Sequence, residues 1–93
     1  MWVRIDEISF AASHADDVID HLRNNAVVAH NGESLVGFRL LVDRDSGRAL
    51  NVSYWDDAAD ARADTPGAVT APVDGAETSV LRTSLYELAI DAA

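Results

Sequence analysis

Asn51 and Trp55 are the residues of this chain best placed by type and spacing to act on a small molecule. They lie four positions apart in ALNVSYW, and because side chains alternate faces along an extended strand, both point the same way. A carboxamide NH2 and an indole N–H can then donate to one ligand oxygen. The plainer account puts Trp55 in the core and pairs Asn51 with a neighbouring strand. Arg82 and Tyr86 repeat the same spacing, share a face with Ser84 and can line the same cavity, although sheet packing is the simpler role for Tyr86. His14, Asp17 and His21 fall close to one face of a helix, a spacing that suits a metal, but such a triplet without a fourth ligand is usually a solvated face, and no metal is expected. His30 reads as a helix C-terminal residue near the negative end of the dipole. The chain has no cysteine, which removes disulfides, thiolate metal sites and a cysteine nucleophile together.

The elements that must position these groups centre on residues 37–60. Phe38 to Val42 and Ala49 to Trp55 are rich in β-branched, aromatic and leucine residues, and the DRDSG between them is turn chemistry, with Gly47 available for a positive φ. This predicts a β-hairpin. On its second strand Leu50, Val52 and Tyr54 share one face and Ala49, Asn51, Ser53 and Trp55 the other. Large side chains on both faces imply that both are covered. Before the hairpin, Trp2 to Phe10 reads as a strand, and Ser13 with Asp16 approximates a capping box for a helix whose buried stripe is Ala15, Val18, Ile19, Leu22 and Ala26. That helix is expected to end near His30 and Asn31, with Gly32 as its cap. Leu35 to Val42 is the second strand. After the hairpin Asp56 or Asp57 caps an alanine-rich helix through about Asp64, stopped by Thr65-Pro66-Gly67. Residues 66–77 have no periodicity and read as a loop, a candidate lid. Thr78 to Ile90 is the last strand, with Val80, Arg82, Ser84, Tyr86, Leu88 and Ile90 on one face and Leu81, Thr83, Leu85 and Ala89 on the other.

The 93 residues, 1–93, make a single small domain. The net charge of -9 comes from 16 acidic residues against seven arginines and no lysine, which is the wrong sign for phosphate contacts and excludes nucleic acid as a partner. No early segment joins a basic start to a continuous apolar run, so neither signal peptide nor membrane span is expected, and a cytoplasmic location fits the absence of cysteine. The order β-α-β-β-α-β is the ferredoxin-like α+β arrangement, a four-stranded antiparallel sheet with both helices on one face. Its other face is left bare, and a two-fold homodimer, sheet against sheet, is the simplest cover.

At the hairpin the chain resembles the antibiotic biosynthesis monooxygenase-like family of dimeric α+β barrels. The likeness rests on Met1-Trp2-Val3-Arg4, on Gly37-Phe38-Arg39, on the run from Leu41 through the DRDSG turn to Leu50, on Val52-Ser53-Tyr54-Trp55-Asp56 and on Tyr86-Glu87-Leu88-Ala89. It spans most of the chain and is weakest from Pro66 to Glu77. The resemblance implies a small-molecule enzyme or binder, since some members oxidise quinol- or anthrone-type aromatic intermediates with no cofactor. It further implies that Asn51 and Trp55, matching an Asn-x-x-x-Trp pair on the family's third strand, form the catalytic pair; Arg82 and Tyr86 match no family motif and are candidate substrate-binding residues only by the face they share. Heme-degrading members carry their iron-binding histidine after the second main helix, where this chain has none, so heme is disfavoured. The competing reading is a non-catalytic dimerisation or ligand-sensing module in which Asn51 and Trp55 only pack.

Overall fold

The structure, a computed structural model, describes residues 1–29, 34–63 and 78–92. In chain order it contains β1 (Trp2–Phe10), α1 (Ala15–Ala29), β2 (Leu35–Asp43), β3 (Arg48–Trp55), α2 (Ala58–Ala63) and β4 (Thr78–Glu87). The strands form one antiparallel sheet in the order β2-β3-β1-β4. This is the expected ferredoxin-like α+β architecture.

The β2–β3 turn forms where expected, and Gly47 adopts a φ of 67°. A side chain at Gly47 would be strained by that φ and would also collide with the carbonyl oxygen of Phe10. The close approach is used, because the Phe10 amide donates to the Gly47 carbonyl at 2.9 Å and ties the turn to the end of β1. Asp57 caps α2 by accepting the Ala59 amide at 2.7 Å.

The start of α1 differs from the capping-box expectation. Ala12–His14 forms a 3₁₀ turn closed by the His14 amide on the Ala11 carbonyl at 2.8 Å, with no side-chain cap, so Ser13 lies inside a tighter turn rather than ahead of the first one. From the expected stripe, Ala15, Val18 and Leu22 are buried and form the main core with Ile8, Phe10 and Ala49. The expected helix end at His30 to Gly32, the stop at Thr65 to Gly67 and the loop 66–77 lie outside the described residues.

β4 stops at Glu87 and does not alternate uniformly. Glu7 pairs with Arg82 but Ile8 pairs with Val80, so Leu81 is an extra residue opposite the β1 backbone. The bulge reverses the parity of the strand. Val80 therefore packs on the helix-facing core instead of sharing the face of Arg82, Ser84 and Tyr86, and Leu81 is left half exposed. A second irregularity between Leu35 and Gly37 lets β2 meet β3 in register from Gly37 onward.

Candidate functional site

The helix-facing side of the sheet is divided. At the hairpin end it is apolar, with Ile8, Phe10, Val42, Ala49 and Val80 in or against the core under α1. At the other end, where Arg4 reaches α2, it is polar: Arg4, Asp6, Asn51 and Ser53 are all buried, and Trp55 beside them is 1% exposed. Each charge in this region is held. The Arg4 Nη1 donates to the Ala61 carbonyl of α2 at 2.8 Å, and its Nε donates to Asp6 Oδ1 at 3.2 Å. Thr83 of β4 donates its hydroxyl to the same Asp6 oxygen at 2.8 Å. Breaking such a buried pair typically costs about 3–5 kcal/mol, because the survivor stays desolvated and uncompensated.

Asn51 and Trp55 share this face, as their spacing requires, and both are buried. The indole N–H of Trp55 is donated to Ser53 Oγ at 2.8 Å, and Ser53 in turn leans on the Arg4 carbonyl at 3.5 Å. Asn51 stands between two strands: Leu40 of β2 faces it on one side and Asp6 of β1 on the other. Thr83 continues the line beyond Asp6. One row thus crosses the whole sheet, Leu40, Asn51, Asp6 and Thr83.

Leu40 also belongs to the floor of a groove of about 370 Å³ between α1 and β2, lined by Ile19, Leu22, Phe38, Leu40 and Val42 with Arg23 and Arg44 at its edge. Both arginines already face carboxylates, Arg23 with Asp20 at 3.4 Å and Arg44 with Asp16 at 2.7 Å. The groove is therefore apolar inside and charge-balanced at its mouth. Phe38 and Leu40 are the direct cross-strand partners of Ser53 and Asn51, so its floor adjoins the polar row.

Arg82 and Tyr86 lie elsewhere. They line a shallow depression of about 120 Å³ with Ile5, Glu7, Leu50 and Ser84 on the side of the sheet away from the helices. The expectation that they share one cavity with Asn51 and Trp55 is corrected: β3 and β4 flank β1, and the register of each with β1 sends the two pairs to opposite faces. The larger groove, about 490 Å³, forms where Met1, Gly37, Arg39 and Tyr54 meet Leu88 and Asp91. There the Arg39 guanidinium stacks 5.4 Å from the Tyr54 ring centre and donates to its hydroxyl at 3.1 Å. His14 Nδ1 lies 3.1 Å from Asp17 Oδ2 on an exposed helix surface, and no group of three metal-ligating side chains forms among the described residues.

The sequence matches no protein-family model and no curated protein. Solved structures do match, over the full length. A candidate antibiotic biosynthesis monooxygenase from Deinococcus radiodurans aligns with a TM-score of 0.69 at 19% identity, covering 100% of this chain and 97% of that one. The chain has the antibiotic biosynthesis monooxygenase-like fold. Two further structures with this fold differ in chemistry. The heme-degrader MhuD from Mycobacterium tuberculosis, solved with two hemes in its active site, gives a TM-score of 0.68 at 23% identity over 100% of both chains. SnoaB, a cofactor-independent oxygenase from Streptomyces nogalater, gives 0.63 at 18% identity over 97% of this chain and 94% of that one. At these identities the likeness carries the fold and no more.

Among the described residues, neither the groove between α1 and β2 nor the buried polar row beside it offers a ligand for heme iron. Protein ligands to heme iron are His, Cys, Met or Tyr, whereas the buried polar groups here are Arg4, Asp6, Asn51 and Ser53. Of the histidines among the described residues, His14 lies in the 3₁₀ turn before α1 and His21 on α1, and no histidine follows α2 in the sequence. Arg4, Asp6, Ser53 and Thr83 were not singled out by sequence reasoning. A signal existed, because Arg4 and Asp6 are two apart in a strand and so share a face. Read alone, though, two charges in β1 look like solvent contacts.

Proposed function

We propose that the chain is a small-molecule enzyme that binds an aromatic substrate between α1 and the sheet and oxidises it without a cofactor, as a quinol- or anthrone-type monooxygenase working as a homodimer. The observation that carries this reading is the apolar groove of about 370 Å³ whose floor, Phe38 and Leu40, is in register with Ser53 and Asn51. A flat ring seated on the floor brings an oxygen substituent to the Asn51 amide. Once ionised, such a ring is electron-rich enough to react with O2, and a fixed N–H donor aimed at the developing oxyanion in a dry site lowers the barrier. For anthrone the balance is anthrone plus O2 giving anthraquinone plus water. Trp55 contributes the wall behind Asn51, with its N–H bracing Ser53. Arg82 and Tyr86, on the other face, belong in this reading to the surface that meets a second copy. SnoaB, described as a cofactor-independent oxygenase, supports the reading by its shared fold.

A second reading, a non-catalytic dimerisation or ligand-sensing module, is favoured by the complete burial of Asn51 and Trp55. One experiment separates the two. Purified protein, treated with a chelator, is mixed with anthrone in air-saturated buffer, and O2 uptake and anthraquinone formation are followed. Turnover above the spontaneous rate supports the oxygenase. Saturable binding of anthrone without turnover leaves the sensing module, and no binding removes the small-molecule reading.

A further inference from the structure

Asp6 is a buried carboxylate whose two oxygens are treated differently by the fold. Its Oδ1 accepts from Arg4 Nε at 3.2 Å and from Thr83 Oγ1 at 2.8 Å. Its Oδ2 is buried and has no hydrogen-bond partner among the described residues. An orphaned, desolvated carboxylate oxygen is uncommon in a folded protein and calls for a reason. Two donors on Oδ1 fix the plane of the group, so Oδ2 stays presented in one direction. Asp6 is in register with Asn51, and Asn51 with Leu40 in the groove floor; Asp6 and Asn51 are themselves fully buried beside the groove and are not part of its lining.

We infer that Asp6 Oδ2 is the general base that takes the acidic proton of an enolisable ligand held at Asn51, an inference that rests on the proposed oxygenase site. Neighbouring strands are about 4.8 Å apart. In an anthrone the carbonyl oxygen and the acidic carbon sit on opposite edges of the central ring, a separation of the same order. With the oxygen at Asn51, the acidic carbon is therefore carried toward Asp6. In the step, the ligand C–H bond breaks, its electron pair stays on the ligand as the enolate, and the proton forms an O–H bond with Oδ2. Nothing is oxidised or reduced. Negative charge passes from the carboxylate to the enolate oxygen beside Asn51, and Arg4 remains close to it throughout, so the net charge of the buried site is unchanged.

Proton abstraction can be read apart from oxidation. Under argon, in D2O, anthrone bound to the protein should incorporate deuterium at its acidic carbon faster than free anthrone, followed by mass spectrometry. Asp6→Asn should lower the protein-dependent exchange on the order of 10²–10⁴-fold. Binding, followed by quenching of tryptophan fluorescence, should persist. Because Asp6→Asn alone strands the Arg4 charge, Arg4→Met with Asp6→Asn is made in parallel as a neutral pair of similar volume, and circular dichroism establishes which variants fold. Loss of exchange in a folded variant that still binds anthrone supports the assignment. Exchange at the parent rate in such a variant, or binding by the parent protein without any exchange, overturns the role of Asp6 and leaves the binding site standing. Absence of anthrone binding to the parent protein overturns both.

Discussion

Asp6 of β1 and Asn51 of β3 are cross-strand partners on the helix-facing side of the sheet, and both side chains are fully buried. Facing positions in an antiparallel pair bring side chains within about 5 Å of each other. A carboxylate and a carboxamide in that relation, next to the apolar floor of Phe38 and Leu40, form a buried polar line across the sheet.

The first prediction concerns Asn51 and Trp55. Removing one donor to a developing oxyanion typically lowers turnover on the order of a hundredfold, so Asn51→Ala should slow anthrone oxidation by about that factor. Burial adds a stability effect of about 1–3 kcal/mol, and with about 4–8 °C per kcal/mol for a domain of this size the melting temperature should fall measurably. Trp55→Phe keeps most of the bulk and releases Ser53 Oγ, so it should destabilise by about 1 kcal/mol while reducing turnover less than Asn51→Ala does. Equal turnover in both variants and the parent, measured well below their melting points, would remove Asn51 from the chemistry.

A second prediction concerns assembly. The face away from the helices leaves Leu41 54% exposed, Tyr86 51% and Leu50 36%, alongside Val3, Ile5 and Val52 on the same side. A surface of this kind is usually covered. Light scattering should return about twice the chain mass of 10.0 kDa, and Leu41→Glu combined with Leu50→Glu should return a single chain by placing like charges on the mating face. A parent protein that stays monomeric at high micromolar concentration would leave that face uncovered and end the dimer proposal.

Gly47→Ala should be among the more damaging single-methyl additions in the chain. The left-handed φ alone costs about 1–2 kcal/mol for a residue with a side chain, and the added carbon must also displace the Phe10 carbonyl that packs against Gly47. A loss of at least 2 kcal/mol or so in urea unfolding is expected. Ser46→Ala, one position earlier in the exposed turn, should lose far less.

Asp43 contributes to the acid sensitivity of the same turn. Hydrogen bonds from the Ser46 side chain first, then from the Ser46 amide, hold its pKa below the ordinary 3.8; desolvation opposes them, and the Asp45 amide adds a smaller lowering contribution. Since the folded pKa is depressed, the group contributes stability at pH values above 3.8, and that contribution is lost as pH falls through the lower, folded value. A carbon-13 titration of the Asp43 carboxyl should give a midpoint below 3.8, and Ser46→Ala should raise it. A midpoint unmoved by that substitution would show that the hydroxyl does not bond in solution.

Wherever regular alternation runs unbroken, residue types alone place the elements and their faces. Leu50, Val52 and Tyr54 opposite Asn51, Ser53 and Trp55, the turn at Gly47 and a cap at Asp56 or Asp57 all follow from period-two alternation and from local backbone chemistry, which depend on neighbours in sequence; the structure selects Asp57. The ferredoxin-like order followed from counting those elements. The remaining features arise from contacts between residues far apart in the chain. The bulge at Leu81 is a relation between β4 and β1, and no residue type in β4 announces it, yet it moves Val80 to the core and sets which residues share a face with Arg82 and Tyr86. The Arg4–Asp6 pair joins β1 to Thr83, 77 positions on, and to Ala61 on α2. In isolation each of those charges reads as solvated, and only burial beneath a helix with distant partners turns them into an interior polar row beside Asn51.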